Sequence, residues 1–135
     1  MNWLLIFWLS FFGFMMAFMT VFMIPMTLEP ILWLIIFAGC AYLIAEHSPE
    51  RYFLHGVLVG LVNSIWITTI HILFFNQYAR THRELVNMMS SMPISDRPKL
   101  MMAVTGPAFG VLSGVILGLF SVAARKLLNK RTKKL

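Results

Sequence analysis

Four stretches of this chain are too long and too apolar to be one face of a helix in water: Trp3 to Ile24, Leu28 to Ala45, Tyr52 to Phe75 and Met101 to Ala124. Each runs to about 18–24 residues, against the roughly 20 a helix needs to cross a bilayer core. Hydrocarbon offers no water to the main chain, so each run has to close its hydrogen bonds within itself as a helix. Charged residues make up 12% of the 135 positions, about half of what a soluble domain carries. The sequence therefore predicts an all-α membrane protein, with four transmembrane helices in an antiparallel bundle and one domain over residues 1–135. The first run has no basic residue before it, is too long for a signal-peptide core and has no A-x-A site after it, so it reads as a retained span.

Punctuation sets the expected boundaries. Pro25 ends the first span, near residues 3–24, and Thr27 can cap the second, near 28–45, with Glu29 in its first turn where the helix dipole favours an acid. Ser48 fits an N-cap, Pro49 a first helical position and Glu50 a first turn, which starts the third helix at 49 and carries it to 75. Residues 76–92 contain no Gly or Pro, and Tyr78, His82, Leu85, Met89 and Met92 recur at helical spacing, so the third helix is expected to be extended by an amphipathic segment. A loop over PISDRPK follows, and Pro98 opens a last helix over 98–124.

Within that last span Gly106, Gly110, Gly114 and Gly118 repeat at every fourth position. In water each would cost about 1 kcal/mol relative to alanine. In lipid, where helices gain nothing hydrophobic by meeting, small-xxx-small stripes of the GxxxG kind let two backbones approach closely. The third span matches this glycine zipper with Gly56, Gly60 and Ser64, and the first adds Gly13 and Ala17. The last helix can meet either the third helix of its own chain or its own copy in another subunit.

Polar residues are sparse inside the spans. No Asp, Glu, Lys or Arg lies in the central part of any of them, which removes the groups that proton-coupled carriers usually depend on. Asn63 and His71 are the membrane-embedded polar residues singled out, as interhelical hydrogen-bonding groups or as the lining of a hydrated path. Metal, haem and enzyme signatures are missing. His55 and His71 lie about 24 Å apart along one helix at 1.5 Å per residue, there is no H-x-x-x-H or C-x-x-C, and Met15, Met16, Met19, Met23 and Met26 have no Cys or His beside them to make a copper site. There is likewise no G-x-S-x-G, H-E-x-x-H or phosphate-cradling loop, and Glu84 with His82 and Arg83 reads as a solvated charge cluster. No catalytic residue, cofactor or metal is expected.

The net charge of +6 comes mainly from the end of the chain, where Arg125, Lys126, Lys130, Arg131, Lys133 and Lys134 form a basic tail over 125–135. Just outside a membrane, such residues are drawn to anionic lipid headgroups by about 1 kcal/mol each; nucleic acid is not an expected partner. With both termini inside, seven basic residues lie on that side and four on the other, the direction of the positive-inside rule. The functional expectation is a small integral membrane protein of assembly or interaction type in a bacterial inner membrane, its termini cytoplasmic. It would associate through glycine faces as a homo-oligomer or within a larger membrane complex. The alternative is a small channel or carrier with a polar path lined by the third and fourth helices.

Overall fold

A computed structural model describes residues 1–93 and 96–134. Residues 94 and 95 of the expected loop, and residue 135 of the tail, lie outside the described residues. The described residues form six helices and no strand: α1 Trp3–Phe22, α2 Glu29–His47, α3 Tyr52–Leu73, α4 Phe75–Thr81, α5 Arg83–Ser90 and α6 Pro98–Thr132. Four of them, α1, α2, α3 and α6, are long and apolar enough to cross a membrane.

Local chemistry explains most of the boundaries. The Asn2 side chain accepts from the Leu5 N–H and caps α1. Thr27 does not cap α2: Leu28 takes that position without a side-chain bond, and Pro30 stands in the first turn beside Glu29. Ser48 turns out to close α2, its N–H donating to the Ile44 carbonyl, and α3 starts at Tyr52 rather than 49. The reversal between them runs through Arg51 at φ 56, a left-handed conformation. Pro98 does open α6, which continues past the expected end at 124 to Thr132, so most of the basic tail is the last turns of one long helix. Pro107 has no N–H to offer the preceding turn, yet α6 runs on through it.

The segment expected as one amphipathic extension over 76–92 is two short helices, broken at Phe74 (φ −107, ψ 34) and His82 (φ −122, ψ 49). No glycine or proline causes these breaks; tertiary contacts do. Phe74 packs its ring against Phe18 and Phe22 of α1, at 5.8 and 5.4 Å between centroids. The Thr81 hydroxyl lies within hydrogen-bond distance of the Val21 carbonyl, left open by the end of α1, as well as of the Gln77 and Tyr78 carbonyls of its own helix. Together they fold α4 back over the end of the bundle.

In the bundle α3 is central, with α1 running parallel to it on one side and α6 antiparallel on the other, while α2 packs chiefly on α6. Sequence neighbours α1 and α2 touch little, although only a short turn joins them. One apolar core joins Ile6 and Leu9 of α1, Cys40, Ala41 and Ile44 of α2, Val59 of α3 and Leu117 of α6. A second, nearer the α4 end, joins Ala17, Val21, Ile70, Tyr78 and Met102. The start of α1 and the basic half of α6 share one end of the bundle: Asn2 bonds His55 near the start of α3, and Arg125 bonds Ala45 near the end of α2.

Candidate functional site

The closest helix contact in the molecule is built from the small residues of α3 and α6. A Cβ added at Gly56 would strike the main chain of Gly118, and one at Gly60 the main chain of Gly114. One at Gly110 would strike the Ser64 side chain, and one at Gly106 that of Thr68. These four rungs climb α3 by four residues while descending α6 by four, as two antiparallel helices in register require. Seen from α6, a Cβ at Gly114 would stand 2.7 Å from the Val57 carbonyl oxygen, and one at Gly118 2.6 Å from that of Phe53. Glycine is needed here for absence of bulk, since main chain cannot move aside as a side chain can.

The α1–α3 seam holds the polar residues. Gly13 leaves space that Asn63 fills; a Cβ there would come 2.5 Å from its Oδ1. Asn63 is buried in mid-span, and its Oδ1 has no hydrogen-bond partner among the described residues. Below it the Trp66 indole donates to Ser10 Oγ at 3.3 Å. At the tail end, His55 is fully buried: its Nε2 accepts from the Asn2 N–H at 3.0 Å and its Nδ1 faces the Arg51 carbonyl at 3.0 Å, with Ser48 Oγ 3.2 Å away. This pairing assigns the Nδ1–H tautomer to a neutral ring that ties together α1, the α2–α3 turn and α3.

At the opposite end three rings stack. His71 and Tyr78 lie 4.1 Å apart between centroids, and Tyr78 and His82 4.4 Å apart, both nearly parallel. Thr20 Oγ1 lies 3.1 Å from His71 Nε2 and donates to the Ala17 carbonyl, so His71 is the donor in their contact. His82 Nε2 meets Glu29 Oε2 at 3.0 Å, and the Trp33 indole reaches Glu29 Oε1 at 3.4 Å. The His82 Nδ1 has no partner among the described residues. Burial pushes the Tyr78 phenol well above its usual range, and the Glu29 carboxylate adds to the effect. His82 is thus buried and paired across the fold, not part of a solvated cluster with Arg83 and Glu84. Among the described residues, no group of three or more His, Cys, Asp or Glu is placed to hold a metal ion.

Of the residues read as headgroup ligands, Arg125 is engaged within the protein. It donates to the Ala45 carbonyl at 3.2 Å and lies over the Tyr52 ring at 5.6 Å, satisfying an open carbonyl near the end of α2. Lys126, Lys130, Arg131, Lys133 and Lys134 stand exposed on the last turns of α6 and its end. Sequence reasoning missed the Glu29–His82 pair and the His55 anchor. Spacing carried a signal only for the ring stack, since His71, Tyr78 and His82 are seven and then four residues apart and so share a helical stripe.

These features define a class: an all-helical chain with four helices long and apolar enough to span a membrane, closed on itself by main-chain contact between two of them. Comparison with family models, curated proteins and solved structures found no match.

Proposed function

We propose that the protein is a small integral membrane protein whose work is association, with copies of itself or within a larger membrane complex. One observation carries the reading: the α3–α6 rungs meet at main-chain distance, which leaves no lumen where the channel alternative puts its path. Since the glycine faces are occupied inside the fold, the surface free for partners is the outer side of the bundle, and α2 is the least buried of its four spans. On α2 that surface presents Ile31, Leu34, Ile35 and Tyr42 around Gly39, where a Cβ would meet nothing within 4 Å. The reading assigns no reaction, cofactor or nucleic acid. Its location is a bacterial inner membrane with both termini in the cytoplasm, supported by the seven-to-four distribution of basic residues.

Cross-linking in native membranes tests it. Gly39→Leu adds bulk only to the outer face, so the isolated protein should keep its fold while its cross-linked assembly weakens. A wild-type chain recovered from native membrane with no neighbour, neither a copy nor another protein, would refute association.

A channel or carrier is the second reading. The polar chain from Glu29 through His82, Tyr78 and His71 to Thr20, leading from the first turn of α2 into the α1–α3 seam, favours it. Liposome flux that His71→Ala abolishes would select this reading over the first.

A further inference from the structure

Beyond the tail, a second basic site stands at the other end of the molecule. Arg80 of α4 and Lys99 in the first turn of α6 come from distant parts of the chain and line one groove of about 280 Å³, together with the amides of Asn76 and Gln77. Among the described residues, no acidic one lines it. Among the described residues, neither cation has a carboxylate within ion-pair distance, whereas Arg51 and Arg97 each have one. Two like charges sharing a groove repel each other, and an anion between them removes that cost.

The surroundings choose the kind of anion. The groove begins where the α3 span ends, and its wall is Leu73, 72% exposed, and Phe74, 38% exposed. The distance along α6 from Lys99 to Arg125, where the basic tail begins, is about 39 Å at 1.5 Å per residue. That matches the roughly 40–45 Å between the outer edges of a bilayer's headgroup regions. An apolar wall running into a cationic, amide-lined mouth at headgroup depth has the polarity of a phospholipid.

We infer that this groove binds the phosphate of an anionic phospholipid, in the leaflet opposite the basic tail. Arg80 and Lys99 take the phosphate oxygens, the Asn76 and Gln77 amides donate to phosphate or glycerol oxygens, and an acyl chain lies along Leu73 and Phe74. Arg80 can hold two oxygens at once through its planar fork.

Native mass spectrometry of the full chain in detergent, titrated with phosphatidylglycerol or phosphatidylcholine, tests the site. To silence the tail, the background carries Lys126→Gln, Lys130→Gln, Arg131→Gln, Lys133→Gln and Lys134→Gln. In that background the protein should still bind one phosphatidylglycerol in preference to phosphatidylcholine. Adding Arg80→Gln with Lys99→Gln should weaken that binding about 30-fold, from about 1 kcal/mol per basic residue. Charge-preserving Arg80→Lys with Lys99→Arg should keep the preference for the anionic lipid, and circular dichroism checks that each variant is folded. Equal binding of the two lipids, or a double Gln variant that binds like its parent, overturns the site. Excess inorganic phosphate should displace the lipid poorly; complete displacement would mark a small-anion site and overturn the lipid assignment.

Discussion

Replacing Gly60 by alanine should force α3 and α6 apart. The new Cβ would strike the Gly114 main chain, standing 2.6 Å from its nitrogen and 2.9 Å from the Gly110 carbonyl oxygen. None of these is the end of a flexible side chain, so relief requires moving a whole helix and loosening the neighbouring rungs at Gly56 and Ser64. Overpacking of a close-packed interior costs about 1–3 kcal/mol, and a main-chain obstacle places this change near the top of that range. At about 2–3 kcal/mol the unfolding equilibrium shifts about 30- to 150-fold. Gly39→Ala is the internal control, because its Cβ enters open space and the helix loses nothing. Equilibrium unfolding of both variants in the same detergent, followed by helical circular dichroism, gives the comparison. Equal stability of Gly60→Ala and Gly39→Ala would refute the argument that main-chain contact, and not merely small-residue composition, holds this pair of helices.

Tyr78 predicts an alkaline limit. Its folded pKa is raised by burial and by Glu29, so the neutral phenol stabilises the fold fully below the unfolded pKa of about 10, and that stability is lost as pH rises above it. Melting temperature measured against pH should fall more steeply above about pH 10 in wild type than in Tyr78→Phe; identical profiles would contradict the burial. Arg125→Gln should lower stability by about 1 kcal/mol through the lost bond to Ala45, whereas Lys130→Gln should leave the melting temperature unchanged. Equal effects of the two would make Arg125 an ordinary tail residue.

The spans were legible because length and apolarity alone identify a membrane-crossing helix, and the runs beginning at Trp3 and Tyr52 needed no tertiary knowledge. The glycine stripes were legible as faces, since a repeat of four keeps residues on one side of a helix; their partner was not, because a stripe fits a neighbouring helix or a second copy equally well. Helix ends depend on less local information. Ser48 has the chemistry of an N-cap, yet it closes α2, because the turn runs on through Arg51 in a left-handed conformation that the sequence does not advertise. The breaks at Phe74 and His82 come from rings and carbonyls of α1 and from Glu29, 53 residues away from His82 in the chain, and local propensity cannot register a contact at that distance. Arg125 looked like the start of a tail for a related reason: only the folded chain brings the Ala45 carbonyl within its reach.

The register of α3 on α6 is open to direct measurement by disulfide cross-linking in a Cys40→Ala background. Thr68→Cys with Gly106→Cys joins facing positions whose Cβ atoms would lie 3.0 Å apart, near disulfide spacing, while Thr68→Cys with Ser113→Cys is misplaced by about 10.5 Å along α6 at 1.5 Å per residue. Oxidation in native membranes should cross-link the first pair within a single chain, and the second should stay reduced. A dimer band from the first pair, or efficient linkage of the second, would show that α6 pairs elsewhere and would contradict the antiparallel glycine contact.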